Sequence, residues 1–293
     1  MKLLVLGGSG LIGNGIIKKL KSEFEIFTTY NRNSLSINDV PAIQCSFPNN
    51  LDKLEQVVQK EKPDVLINTI GYSNIDFCEL NKNDTEILHV KTTERICNIC
   101  ENYGSKQIFL SSDYVFDGEV GNYSETDVPN PVNFYGLSKL KAEQIILRNS
   151  VNTVIRTSVI YDWDYRSRFF NYVVNNLKKN EPVKATTDVY NSVTFLDNLV
   201  DSISKVIKFE HNGIFHVVDS TCSNRFEFAK NIAKIFEFDE NLIENISVRD
   251  DSKNIAKRPK NACLNNSKAK KELELNFNTI EEGINKVFIK SQL

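Results

Sequence analysis

Leu3-Leu4-Val5-Leu6-Gly7-Gly8-Ser9-Gly10-Leu11-Ile12-Gly13 is the stretch that decides the fold. Leu3, Leu4, Val5 and Leu6 make an apolar run of strand length, and a glycine-rich turn follows at once. The turn satisfies Gly-x-Gly-x-x-Gly at 8, 10 and 13 and the looser Gly-x-x-Gly-x-x-Gly at 7, 10 and 13. It opens an amphipathic segment over residues 11–21. Such a turn needs glycine for three reasons: a tight bend, close backbone approach to a pyrophosphate, and intimate packing of helix on strand. Glycine turns are common, but a strand before and a helix after this one make it a dinucleotide-binding signal. Gly7, Gly10, Leu11, Ile12 and Gly13 are therefore the expected phosphate contacts.

Working outward, strand and helix signals alternate through the first half. Strand-like runs fall at 3–6, 25–29, 42–45, 65–68, 107–110 and 153–156, with helical patterns at 11–21, 50–61, 84–103 and 134–148. Short apolar strands alternating with amphipathic helices predict an α/β fold, a Rossmann-type doubly wound parallel sheet built from right-handed βαβ units. After Arg156 the alternation loosens. Helices are expected at 166–179, 196–209, 225–236 and 279–289, with extended pieces at 182–185 and 213–218. This half predicts a smaller C-terminal α/β lid that binds substrate. The expected division is a nucleotide-binding domain over 1–160 with a returning segment near 188–210, and a lid over 161–187 and 211–293. No linker rich in Gly, Pro or Ser separates the halves.

Composition narrows the function classes. The chain has 293 residues, 41% of them hydrophobic, and a net charge of -2, which argues against nucleic acid or an anionic membrane as partner. No apolar run approaches the roughly 20 residues of a membrane span. Six scattered cysteines predict reduced thiols and a cytoplasmic protein. Cys97 and Cys100 form a C-x-x-C, but they sit in a helical pattern, no second Cys/His pair has ligand spacing, and the three His are dispersed. They are expected to be small apolar residues on a helix, with no metal site.

The end of the second strand selects the dinucleotide. An NAD site commonly carries an acid there to hold the ribose 2′-hydroxyl. This chain has Thr28-Thr29-Tyr30-Asn31-Arg32, with no acid, and Arg32 suits a 2′-phosphate. NADPH is the expected cofactor and NADH the alternative, with Asn31 and Arg32 at the adenosine end. Ile70, Gly71 and Tyr72 follow the fourth strand at the carboxyl edge, where ligands bind in open sheets. The fifth strand delivers Ser111 and Ser112 to the same edge. A helix starting near Phe134 brings Tyr135 and Lys139, four residues apart and so on one face. A hydroxyl, a phenol and an ammonium there can meet one carbonyl.

At these residues the chain resembles the extended short-chain dehydrogenase/reductases, and within them the dTDP-4-dehydrorhamnose reductase (RmlD-like) family. The likeness rests on Gly7 to Gly13, Gly71-Tyr72-Ser73-Asn74-Ile75-Asp76, Ser111-Ser112-Asp113-Tyr114-Val115-Phe116-Asp117-Gly118, Tyr123-Ser124-Glu125-Thr126-Asp127, the run from Asn130 to Glu143, Arg156-Thr157-Ser158 and Arg258-Pro259. It implies a hydride delivered from NADPH to C4 of a nucleotide-linked 4-keto-6-deoxysugar. It casts Tyr135 as proton donor, Lys139 as holder of the nicotinamide ribose that lowers the phenol pKa, and Ser112 as polariser of the carbonyl. Ser46, Phe47, Ser111 and Ser158 are implied cofactor contacts. Tyr72, Ser112, Asp113 and Val159 are implied sugar contacts, and Arg258 a contact to the diphosphate.

Three departures bear on the substrate. Val159 stands where rhamnose-forming reductases carry Trp, Ser46-Phe47 replaces a common Asp after the third strand, and Ser192-Val193-Thr194 replaces Ser-Pro-Thr. They point to a relative with a different sugar pocket. An epimerase or dehydratase of the same superfamily remains an alternative, as does a regulatory subunit like the methionine adenosyltransferase β subunit. The sequence leaves assembly open, a homodimer included. The cofactor choice is testable: Arg32→Ala should weaken NADPH binding about tenfold or more with little effect on NADH, and an equal loss for both dinucleotides would reject the 2′-phosphate role.

Overall fold

Leu3, Leu4, Val5 and Leu6 are apolar at every position rather than at alternate ones, and all four are fully buried. A strand of that kind must be covered on both faces, which only the interior of a helix-flanked sheet provides. In the computed structural model, which describes residues 1–33, 40–248 and 255–292, this strand lies inside a seven-stranded sheet.

The first part of the chain runs β1 (Lys2–Leu6), α1 (Leu11–Leu20), β2 (Glu25–Tyr30), β3 (Ala42–Gln44), α2 (Leu51–Glu61), β4 (Val65–Asn68), α3 (Ile75–Leu80), α4 (Lys82–Glu86), α5 (Thr92–Tyr103), β5 (Lys106–Ser112), α6 (Phe134–Ile146) and β6 (Thr153–Thr157). The sheet order is strand Gly213–His216, then β6, β5, β4, β1, β2 and β3. From β6 to β3 this is the doubly wound order, reversing direction beside β1. The pairings of β1 with β2 and β4, β2 with β3, and β4 with β5 are parallel. All carboxyl ends of these strands therefore share one edge. Leu54 and Val58 of α2 and Ile96, Ile99 and Cys100 of α5 cover one face against Leu4, Leu6 and Leu66.

The expected helix over 84–103 is not one regular helix. A π-turn at Ile87–Lys91 separates α4 from α5. One extra residue in the turn resets the phase of the helix, which period-3.6 patterning cannot reveal. Cys97 and Cys100 are buried on α5 as expected, with Gln107 Nε2 donating to Cys100 Sγ at 3.2 Å. Burial pushes both thiols up to about 12, so neither is reactive near neutral pH.

The chain divides into two compact units. One comprises Met1–Ser112, Phe134–Arg156 and Val200–Phe215, and the other Asp113–Asn133, Thr157–Leu199 and His216–Leu293. Residues 113–133 and 157–160, which the sequence groups with the nucleotide-binding half, lie in the second unit. Their hydrogen bonds explain this: Asn133 Nδ2 donates to Lys257 O at 2.9 Å, Asn261 N–H to Gly118 O at 3.0 Å, and Tyr123 N–H to Cys263 O at 2.9 Å. Gly118 passes so close to Pro259 that a Cβ would stand 2.6 Å from it.

The second unit has its own core. Helices Arg168–Lys178, Arg225–Ile235 and Ile280–Ser291 bury Phe170, Val174, Phe228, Ile232 and Ile284 against Tyr161 and Phe195. Three two-stranded pairings complete it, one of them joining Ile243–Ile246 to Val183–Thr186. Two of the helices start with full capping boxes, Asn224 with Glu227 and Thr279 with Glu282. Cys222 and Cys263 are joined as a disulfide with Cα atoms 5.6 Å apart. The expectation of six reduced thiols is corrected for this pair. The two cysteines lie 41 positions apart in the chain, and only the fold brings them together.

One buried ion pair fixes α6. Arg156 Nε and Nη2 donate to Glu143 Oε1 and Oε2 at 3.0 and 2.7 Å, and both side chains are almost fully buried. Removing one partner strands the other charge in an apolar setting, at a cost of about 3–5 kcal/mol. Glu143→Ala should lower the unfolding free energy by that amount in denaturant titration, and Glu143→Leu with Arg156→Met should recover most of it. A loss below about 1 kcal/mol for Glu143→Ala would show that the pair does not hold α6.

Candidate functional site

β1 ends at Leu6, and Gly7 turns the chain with φ +84°, a backbone conformation that side chains resist. Gly7 N–H donates to Thr29 Oγ1 at 3.2 Å, Gly8 N–H to Thr29 O at 2.9 Å, and Gly10 N–H to Gly7 O at 2.9 Å. A Cβ on Gly13 would lie 2.4 Å from Gly7 O, so α1 packs directly on the turn. Gly10 is the N-cap of α1, with no side-chain cap bond and no acid in the first turn. The positive end of the helix dipole, with Leu11 and Ile12 in its first turn, favours negative charge at this turn.

The neighbouring strand ends line the same edge. After β2, Thr28 and Thr29 are buried, while Asn31 and Arg32 are exposed. Asn31 O accepts from Gln44 Nε2 at 3.0 Å. After β3, Ser46 N–H donates to Asn50 Oδ1 at 2.7 Å and Phe47 packs on the apolar cluster beneath. After β4, Thr69 Oγ1 donates to Leu6 O at 2.6 Å and Ile70 N–H to Asn68 Oδ1 at 3.0 Å. These bonds shape the backbone of Ile70, Gly71 and Tyr72. β5 ends on Ser111 and Ser112, both buried.

α6 supplies the remaining groups. Its first turn is anchored by Phe134 N–H, which donates to Glu79 Oε2 at 2.8 Å. Ion pairing with Lys82 and this backbone N–H hold the Glu79 carboxyl below its usual range. Tyr135 follows in that turn, and Lys139 stands one turn later, 5% exposed. The Lys139 ammonium lies 4.2 Å from the Phe109 ring centroid. Burial lowers its pKa to about 8, against the opposing pull of Glu143 and Cys78.

His89 is the residue of this edge that sequence reasoning passed over. It sits in the π-turn, 2% exposed. Tyr72 N–H donates to its Nε2 at 2.8 Å, and its ring meets that of Tyr135 edge-on at 5.9 Å. Its one sequence signal was a histidine on the apolar side of a helix, which a satisfied core histidine gives equally well.

Four expected site residues belong to the second unit. Asp113 is 1% exposed, and its Oδ2 accepts from Ser158 Oγ at 2.7 Å and Asn191 Nδ2 at 2.5 Å. Asn191 was not anticipated. Val159 has φ +42°, a left-handed conformation that a β-branched residue adopts only under constraint. Arg258 is half-buried, with Nη1 donating to Ala256 O at 3.3 Å.

The glycine turn leaves no room for a Cβ at Gly13, and the N-terminus of α1 follows it directly, with no acid in its first turn. Ser111 Oγ is buried without a protein partner, which is costly unless a ligand completes it. The residues fit such a group: the turn and α1 for the pyrophosphate, Ser111 and Lys139 for the nicotinamide end.

Fold and edge together define a doubly wound α/β protein of the dinucleotide-binding class. The chain belongs to the RmlD substrate binding domain family, whose profile matches residues 1–292. A dTDP-4-dehydrorhamnose reductase of Aggregatibacter actinomycetemcomitans is 27% identical over 286 residues, covering 91% of each chain. A hypothetical dTDP-4-dehydrorhamnose reductase from Sulfolobus tokodaii superposes with a TM-score of 0.87 at 31% identity, covering 97% of this chain and 99% of the other. The dTDP-4-dehydrorhamnose reductase of Bacillus anthracis in complex with NADP gives 0.87 at 25% identity, with 99% of both chains covered. Among the described residues, no helix is long and apolar enough to cross a membrane.

Proposed function

We propose that the protein is an NADPH-dependent reductase of a nucleotide-linked 4-keto-6-deoxysugar, serving deoxysugar and surface polysaccharide biosynthesis. The observation that carries this is α6: it sets a phenol and a buried ammonium one turn apart, on the sheet edge where β5 ends in two buried serines. Family membership and the NADP-bound relative support the same chemistry.

Bound along the glycine turn and the Ser111–Lys139 edge, NADPH would supply a hydride to the sugar C4 as the C4=O π bond breaks. Tyr135 Oη donates the proton that the C4 oxygen takes up, so a carbonyl, a hydride and a proton become one alcohol. The Lys139 ammonium stabilises the phenolate that remains and holds the ribose hydroxyls of the nicotinamide nucleoside. Its low dielectric surroundings strengthen both effects. Ser112 donates a hydrogen bond to the carbonyl oxygen, where negative charge develops. Ser111 gains the partner its hydroxyl lacks. The family resemblance supports Asp113, Val159 and Tyr72 for sugar recognition and Arg258 for the diphosphate. Val159 in place of an aromatic platform supports a sugar other than the one rhamnose-forming relatives reduce.

NADPH oxidation with a panel of dTDP-, UDP-, GDP- and CDP-linked 4-keto-6-deoxyhexoses tests the assignment. One member should be turned over. Oxidation with none of them would favour a binding protein, and release of water or inversion without net NADPH consumption a dehydratase or epimerase. Tyr135→Phe should keep NADPH affinity and lose about 10²–10⁴-fold in kcat; wild-type turnover in that variant would remove Tyr135 as proton donor.

A further inference from the structure

His89 makes a chain of hydrogen bonds whose directions are fixed by chemistry. Tyr72 N–H can only donate, so His89 Nε2, 2.8 Å away, carries no proton. Ser138 Oγ donates to Tyr135 O at 2.7 Å. Its single proton is spent there, so the 2.8 Å contact between His89 Nδ1 and Ser138 Oγ has Nδ1 as donor. The imidazole is thus the neutral Nδ1–H tautomer. Burial, reinforced by the charge on Lys139, holds its pKa down to about 3, which favours the neutral ring.

The two ends of this ring grip different parts of the site. Nε2 holds the backbone of the β4 loop at Tyr72, and Gly71 lies so close that a Cβ there would be 3.1 Å from Nε2. Nδ1 holds the first turn of α6 through Ser138, whose side chain is fully buried. The ring also meets the Tyr135 ring edge-on, at 78°. The π-turn at Ile87–Lys91 supplies the phase that carries His89 into this position.

We propose that His89 is a positioning residue, a rigid neutral spacer that sets the loop Ile70-Gly71-Tyr72 against Tyr135. It rests on the reading of Tyr135 as proton donor and of that loop as a cofactor contact. The Nε2 arm governs the loop, hence dinucleotide affinity. The Nδ1 arm governs Tyr135, hence the proton-transfer step, where small misplacements are costly.

Two conservative variants separate the arms, because a glutamine amide reaches the place of Nε2 and an asparagine amide that of Nδ1. His89→Gln should keep the Tyr72 bond, leaving the NADPH Kd within about twofold while kcat falls about tenfold or more. His89→Asn should keep the Ser138 bond, raising the NADPH Kd about tenfold while kcat at saturation stays within about threefold. Ser138→Ala should reproduce the kcat loss of His89→Gln, and the double variant should lose no more than either alone. A merely structural histidine would move Kd and kcat together in both variants, or give multiplicative losses in the double variant; either result overturns the proposal. Kd is read without sugar. If the wild type reduces no 4-keto sugar, the functional reading fails by itself, and the His89→Asn Kd still decides the Nε2 arm.

Discussion

A bidentate ion pair in the interior, Arg156 with Glu143, is the constraint on which the site depends. It ties α6 to β6 one helical turn beyond Lys139. Lys139 is itself buried, and an ammonium in such surroundings tends to lose its proton. The nearby Glu143 carboxylate opposes that tendency. The pair therefore acts twice, mechanically on the helix that carries Tyr135 and electrostatically on the charge beside it. At the other end of the same helix, Glu79 caps Phe134 and Ser138 ties Tyr135 to His89. A helix pinned at both ends loses little entropy when a reaction demands one geometry of it.

The first half of the chain was legible because its central strands are buried on both faces. Leu3 to Leu6 and Val65 to Ile67 are buried at every residue, so continuous apolar runs mark them. The glycine turn was legible for a steric reason, since Gly13 has no room for a Cβ against Gly7 O. Ser111, Ser112, Tyr135 and Lys139 follow from the elements that deliver them. What the structure adds for Ser111 is that its buried hydroxyl has no protein partner.

What the sequence hid depends on contacts distant in the chain or on helix phase. His89 owes its position to a π-turn, and one inserted residue leaves no compositional trace. Asn191 reaches Asp113 across 78 positions. The strands of the second unit are two to four residues long, too short for period-2 alternation to show. The disulfide between Cys222 and Cys263 is of the same kind: scattered cysteines suggested thiols, and only the pairing of their segments brings two of them together.

In the proposed reaction, hydride passes from the nicotinamide to C4 of a keto sugar while this chain supplies the proton. Isotope transfer tests it most directly. NADPH carrying deuterium at nicotinamide C4, on the hydride-donating face, is to be incubated with the nucleotide-linked 4-keto-6-deoxyhexose that the protein accepts, and the product read by NMR and mass spectrometry. One deuterium, bound to C4 of the product sugar, is the expected result. Product without deuterium at C4, or deuterium at any other carbon, would contradict it.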